Sequence, residues 1–144
     1  MVELLPTRTS YRPDEPVGIE VRGLSESGLA ASAELTVWHL GDRVASVPVA
    51  ADGVVEVGTL PAGGYSVELG GSRTAVAHTA AEVVADARSV LRYGFVVDYR
   101  PGRDLAAVQD NLRRLHLTGV QFYDWAYRHA DLLGGGEHYD DAHG

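Results

Sequence analysis

The ten residues LPAGGYSVEL at positions 60–69 place a turn signal directly before a strand pattern. Proline and two glycines occupy the first half, and these residues are typical of turns because of the backbone angles they impose or allow. In the second half, Tyr65, Val67 and Leu69 alternate with Ser66 and Glu68. A period of two is typical of a strand with one buried face. The stretch therefore predicts a short, half-buried strand entered from a tight turn.

The same alternation recurs on the amino-terminal side of this stretch and once beyond it. Val17, Ile19 and Val21 alternate with less apolar residues, and residues 33–37 repeat the pattern before a hairpin turn predicted at Gly41 and Asp42. Further strands are predicted at residues 2–5, 44–49, 54–57 and 74–78. About seven short strands with regular turn signals and no helix predict a β-sandwich over residues 1–80.

Two details refine the sandwich prediction. Pro13 and Pro16 precede a predicted strand, where their restricted φ favours a rigid turn. Tyr65, at the start of a late strand, resembles the tyrosine corner of immunoglobulin-like domains, in which a hydroxyl bonds to upstream backbone. An immunoglobulin-like sandwich is therefore expected.

Trp38 has two interpretations. It could be an exposed platform for a sugar ring, or it could pack on a neighbouring domain. A single tryptophan does not form a sugar cleft and tryptophan is common at interfaces, so packing is the favoured interpretation.

The hydrophobic pattern changes after residue 80. Residues 81–90 lack strand alternation and are predicted to be a linker, with room for a short helical turn. Residues 93–98 form an apolar run ending in Asp98, which predicts a strand buried on both faces as in parallel sheets. Leu105, Val108, Leu112 and Leu115 then follow helical spacing within residues 104–116. A second strand is predicted over residues 120–124, so residues 91–144 begin with a βαβ unit.

Both predicted parallel strands end in an aspartate. Ligand sites of α/β folds lie at the carboxyl ends of the strands and in the loops that follow. Asp98 and Asp124, with Trp125, Tyr127 and His129, are therefore expected near one site. A single βαβ unit leaves both sheet edges and one face uncovered, so we expect further chain to complete it.

Composition and charge exclude several classes of function. A net charge of -8 and a pI near 5.1 disfavour nucleic acid as a partner. No apolar run is long enough for a membrane span, and no signal peptide is recognisable, which leaves the localisation undecided. The chain has no cysteine, its histidines and carboxylates match no zinc spacing, and residues 134–136 are no phosphate loop, so neither metal nor cofactor is predicted.

Three segments carry a family resemblance: RYGFVVDY at residues 92–99, QDNLRRLH at 109–116 and GVQFYDWAYRH at 119–129. They resemble glycoside hydrolase family 66, which comprises endo-dextranases and cycloisomaltooligosaccharide glucanotransferases. The resemblance implies an immunoglobulin-like domain followed by a (β/α)8 barrel, of which residues 91–144 would be the beginning. It also implies an α-glucan polysaccharide or oligosaccharide as partner, in a family whose members are often secreted.

The resemblance bears on the roles of individual residues as well. The family uses an aspartate nucleophile and a glutamate acid/base with retention of configuration, both on strands beyond the second barrel strand, so no catalytic residue is expected here. Sugar-binding roles are implied for Asp98, Tyr123, Asp124, Trp125, Tyr127 and His129.

We therefore expect the amino-terminal fragment of an α-1,6-glucan hydrolase or transglycosylase, inactive without the missing barrel portion. The alternative is a non-catalytic β-sandwich module that binds carbohydrate or protein. The sequence does not separate hydrolysis from cyclisation.

Overall fold

The computed structural model describes residues 1–26, 28–29, 33–70, 74–97 and 102–123 of the chain. The chain divides into two compact units, Met1–Val90 and Leu91–Gly144. Within the described ranges, no helix is long and apolar enough to cross a membrane.

The first unit is a sandwich of two antiparallel sheets. In its described residues, strands β1, β2 and β5 form one sheet in the order β1-β2-β5, and the other sheet has the order β4-β3-β6-β7. The predicted β-sandwich is thus confirmed. The strands are β1 Glu3–Pro6, β2 Pro16–Arg22, β3 Glu34–His39, β4 Asp42–Pro48, β5 Gly53–Thr59, β6 Gly63–Gly70 and β7 Ala75–Val83.

Alternate residues of the strands fill the space between the sheets. Ile19 of β2, Leu35 of β3 and both Val67 and Leu69 of β6 are completely buried. Their sequence neighbours point to the opposite face of each sheet because side chains alternate along a strand. Burial of each such side chain stabilises the fold by about 1.5 to 3 kcal/mol. The period-two pattern of the sequence therefore marks the core correctly.

Tyr65 makes the contact predicted from its position. Its ring is buried, and its hydroxyl donates to the carbonyl oxygen of Pro61 at 2.7 Å. This bond ties the start of β6 to the turn before it. The predicted hydrogen bond to upstream backbone is confirmed.

Tyr11 has a larger structural role that the sequence did not reveal. Its ring is 2% exposed, and its hydroxyl donates to the Gly18 carbonyl at 2.6 Å. The same oxygen accepts from the backbone N–H groups of Thr7 at 2.9 Å and Arg8 at 3.2 Å. The Tyr11 backbone N–H also donates to the carbonyl of Glu82 on β7 at 2.9 Å. This residue therefore links the segment between β1 and β2 to strands of both sheets.

We expect Tyr11→Phe to lower the free energy of unfolding by about 1 to 3 kcal/mol, because it removes a hydroxyl that bonds to the Gly18 carbonyl and to the N–H groups of Thr7 and Arg8. Tyr65→Phe is the matched control, since it removes a hydroxyl bonded to one carbonyl and should cost about 0.5 to 1.5 kcal/mol. Urea unfolding followed by circular dichroism compares the two variants. An equal or smaller loss for Tyr11→Phe would contradict the assigned role.

The hairpin between β3 and β4 turns one residue earlier than predicted. The two loop residues are Leu40, with φ 50°, and Gly41, with φ 94°, while Asp42 already belongs to β4. Two-residue hairpins favour positive φ at both loop positions because their twist then matches that of the strands. Leu40 therefore adopts the left-handed backbone conformation in spite of its strain. Leu40 is 92% exposed, so its side chain meets no packing constraint there.

Two further differences concern short segments of the first unit. The expectation of no helix was wrong at Leu24–Glu26, a 3-10 turn whose Leu24 N–H donates to the distant Asp52 carboxylate at 2.7 Å. Strand β7 also continues to Val83, into the predicted linker, because Ala81 and Val83 face the core. The sequence shows no clear alternation there because alanine occupies both the outward position 80 and the inward position 81.

The linker segment contains the predicted helical turn at Ala87–Ser89. Hydrogen bonds from the side chain and backbone of Arg88 hold the pKa of the exposed Asp86 carboxyl below its usual value.

The described part of the second unit is a βαβ unit. Strand β8 spans Tyr93–Val96, helix α1 spans Leu105–Arg114 and strand β9 spans Gly119–Phe122. Strands β8 and β9 pair in parallel, as predicted. Asp104 caps the helix by accepting from the Ala107 N–H at 3.0 Å, which satisfies one of the free donors of the first turn.

Candidate functional site

The carboxyl ends of β8 and β9 lie side by side in the second unit. Val96 and Phe122 are partners in the parallel register. The next backbone N–H, that of Tyr123, donates to the Val96 carbonyl at 2.9 Å and extends the ladder past the end of β9. The carboxyl ends of the two strands therefore lie at one edge of the sheet. This edge is the candidate site, because parallel α/β folds place ligand chemistry there.

One face of the two-stranded sheet is turned toward α1. Val96 is buried on this side, and the side chain of Leu117 packs against the β8 backbone at Gly94. Between helix and strands lies a cavity of about 350 Å³, whose lining includes Val108 and Leu112 of the predicted apolar stripe. The stripe thus faces the sheet, although Leu105 and Leu115 at its ends remain more than half exposed.

The opposite face carries aromatic side chains around one amide. Tyr93 and Phe95 meet edge to face with ring centroids 5.4 Å apart, and Phe95 and Tyr123 do so at 6.2 Å. The Tyr93 hydroxyl donates to Gln121 Oε1 at 2.6 Å across the two strands. The three rings are 50%, 61% and 49% exposed, respectively. We call Tyr93, Phe95, Gln121 and Tyr123 the open face.

The exposure of the open face corrects one prediction. Residues 93–98 were expected to be buried on both faces, yet Tyr93 and Phe95 are at least half exposed and only the α1 side covers Val96. One helix can cover one face of a sheet, and burial of the other face needs additional elements. The described residues of this unit therefore bury only part of the apolar side chains in the run.

Tyr123 is the one predicted site residue that the structure describes. It lies at the carboxyl end of β9 and contacts Phe95 on the open face. The other predicted site residues, Asp98, Asp124, Trp125, Tyr127 and His129, lie outside the described residues. By sequence, Asp124 follows Tyr123 directly.

Two residues at this edge were not predicted. Gln121 interrupts an apolar strand with an amide, and that interruption was the available signal. The Arg103 guanidinium donates to the carbonyl of Val97, immediately after β8. Its position in a loop between strand and helix carried no such signal.

The described edge carries both aromatic and polar groups. It offers aromatic rings, a phenol hydroxyl and an amide, groups that contact apolar faces and hydrogen-bond hydroxyls. Within the described ranges, no three histidines or carboxylates come together as metal ligands.

A family model described as glycosyl hydrolase family 66 matches residues 7–143. The chain belongs to this family. The match extends through the sandwich as well as the βαβ unit, whereas the sequence segments that carried the resemblance begin at residue 92. Membership in family 66 is thus confirmed.

The chain is also similar to individual proteins. The chain is 25% identical over 142 residues to a cycloisomaltooligosaccharide glucanotransferase of Niallia circulans, a match that covers 88% of this chain and 15% of that protein. It is also similar to the crystal structure of a cycloisomaltooligosaccharide glucanotransferase of Paenibacillus sp. complexed with cycloisomaltoheptaose. There the TM-score is 0.49 and the identity 23%, over 98% of this chain and 23% of the other. The family 66 chain therefore spans less than a quarter of the length of either relative.

Proposed function

We propose that this chain supplies the amino-terminal sandwich and the first βαβ unit of a (β/α)8 barrel in a retaining glycoside hydrolase. The substrate class is α-1,6-glucan, cleaved by hydrolysis or transglycosylation. The chain contributes sugar-binding residues and no catalytic pair, so it is inactive by itself. The observation that carries the proposal is the open face of a parallel βαβ unit in a family 66 chain.

The open face lies on the side of the sheet that would line a barrel interior. In a (β/α)8 barrel the helices form the outer ring, and inward side chains of the strands fill the centre in layers. Helix α1 lies on one side of β8 and β9, which makes the opposite side the inward one. Tyr93, Phe95 and Gln121 would then form part of the filled centre, and their present exposure would end when further strands close around them.

The proposed sugar contacts follow from the same geometry. Tyr123 lies at the carboxyl edge. In the sequence, Asp98 directly follows Val97 and Asp124 directly follows Tyr123. Carboxylates accept hydrogen bonds from sugar hydroxyls, and rings offer stacking faces. We assign substrate-binding roles to Asp98, Tyr123, Asp124, Trp125, Tyr127 and His129.

The sandwich is proposed to be an immunoglobulin-like domain that includes β7 up to Val83, joined by a linker ending at residue 90 to the barrel segment at 91–144. The two-sheet strand order and the hydroxyl bond of Tyr65 support the immunoglobulin-like assignment. The division of the chain between Val90 and Leu91 supports the domain limits.

A fusion protein tests the proposal. The 144-residue chain would replace the matching segment of the glucanotransferase of Niallia circulans. We expect the fusion to release or cyclise isomaltooligosaccharides from dextran within about tenfold of the parent rate, a barrier difference of about 1.4 kcal/mol. Reducing-sugar assay and chromatography of the products measure this rate.

A second fusion that retains residues 1–90 and lacks 91–144 serves as the control. It should be inactive, because the barrel then lacks two strands and a helix and cannot close. A soluble, folded fusion with the whole chain and no activity on dextran would contradict the proposed role of the βαβ unit.

A further inference from the structure

The outward side of the four-stranded sheet presents a tryptophan near its middle. Leu35 and Val37 of β3 point into the core, so the alternating positions Thr36 and Trp38 lie on the outer side. Trp38 pairs in register with Ser66 on the adjacent central strand β6. The side chain is only partly exposed, although it does not contribute to the core cluster.

A hydrogen bond fixes the orientation of this indole. Trp38 Nε1 donates to Glu68 Oε2 at 3.0 Å. Glu68 pairs with Thr36 rather than with Trp38, so the bond runs diagonally between two neighbouring strands. The indole is thus held at both its Cβ and its N–H on the outer side of the sheet.

On the β6 and β7 side of the indole the neighbouring positions carry small side chains, whereas on β4 the register partner of Trp38 is Arg43. Ser66 on β6 and its partner Ala80 on β7 continue the row of Trp38 and are exposed. Since adjacent strands lie about 4.8 Å apart, the two positions leave a shallow shelf about 10 Å wide next to the ring. The shelf is open enough for a ligand that rests flat on the sheet.

The neighbouring row supplies hydrogen-bonding groups. Ser46, Thr36, Glu68 and His78 follow one another across β4, β3, β6 and β7. Thr36, Glu68 and His78 provide a hydroxyl, a carboxylate and an imidazole beside the shelf, whereas the Ser46 hydroxyl already donates to Glu34. Glu68 places a carboxylate within this row, and the chain has a net charge of -8. Both negative charges disfavour ligands that carry phosphate.

We propose that the outer face defined by Trp38, Ser66, Ala80, Thr36, Glu68 and His78 is a second saccharide-binding surface, separate from the carboxyl edge of β8 and β9. A pyranose ring presents an apolar C–H face that stacks on an indole and a hydroxyl rim that bonds to the polar row. The identification of the sugar as a segment of α-1,6-glucan rests on the proposed function. Binding there would hold polymer on the sandwich.

Affinity electrophoresis of the 144-residue chain in native gels containing dextran tests the surface. We expect dextran to retard the wild type, and Trp38→Ala to weaken the apparent affinity at least about tenfold through loss of the stacking ring. Trp38→Phe should retain part of the retardation, because it keeps an aromatic face. Val54→Ala, at a 60% exposed position on the other sheet, is the control and should match the wild type.

The remaining outcomes separate this inference from the proposed function. Equal retardation of wild type and Trp38→Ala would refute the proposed saccharide surface. It would also indicate that the α-glucan binds elsewhere in the chain. Absence of retardation in every gel, together with a lower melting temperature of Trp38→Ala and Trp38→Phe, would overturn it in favour of a packing role. Retardation that depends on Trp38 in amylose gels but not in dextran gels would support the surface and contradict α-1,6-glucan as the substrate class.

Discussion

The isolated 144-residue chain should release no isomaltooligosaccharide from dextran above a blank without protein. Retaining hydrolysis needs a nucleophile and an acid/base whose carboxyl groups stand about 5 to 5.5 Å apart across the scissile bond. The family places both on barrel strands beyond the second, whereas β9 is the second strand of the proposed barrel. Binding groups alone do not replace the lost covalent step. The expected effect is therefore a complete loss, not a reduction.

The assay compares the chain with an active endo-dextranase at the same molar concentration over a long incubation. Chromatography of the products detects small amounts of release, and a heat-treated sample of the chain controls for contaminating activity. Reproducible release by the chain would refute the proposal. Asp98 and Asp124 would then become candidates for the catalytic pair, because both follow adjacent parallel strands.

Asp124→Ala in the active fusion protein should reduce glucan turnover by about tenfold to a hundredfold. The residue follows Tyr123 at the carboxyl edge, where a carboxylate can accept hydrogen bonds from sugar hydroxyls. Hydrogen bonds to charged groups contribute about 1.5 to 3 kcal/mol, and each 1.4 kcal/mol corresponds to a factor of ten. Steady-state kinetics on dextran measure the loss.

Asp110→Ala is the matched control, because this exposed carboxylate of α1 pairs only weakly with Arg114 at 3.5 Å. Its turnover and melting temperature should equal those of the unmodified fusion. If Asp124 braces the end of the barrel instead of binding sugar, Asp124→Ala should lower the melting temperature together with the activity. Unchanged kinetics with an unchanged melting temperature would refute both roles.

The site was predictable in its position and less so in its contents. The apolar run at residues 93–98, the helical spacing at 104–116 and the short strand predicted at 120–124 identified two parallel strands, and their ends indicated the edge at which Tyr123 lies. The contact between Tyr93 and Gln121 could not be predicted in the same way. It depends on the register between strands separated by a helix, which no local pattern encodes.

The sequence by itself determined which segments of this protein become strands and which becomes a helix, together with the Tyr65 bond and the family. These features depend on alternation, spacing and neighbouring backbone, so they act over a few residues. Tertiary structure alone decided the contacts of the Tyr11 hydroxyl, the 3-10 turn held by Asp52 and the exposure of Phe95. Each of these depends on groups brought together from elsewhere in the chain, or on how many elements are present to cover a face. Burial and hydrogen-bond partners are set by how the elements pack in the folded chain. The local sequence specifies only which side chains are available for that packing.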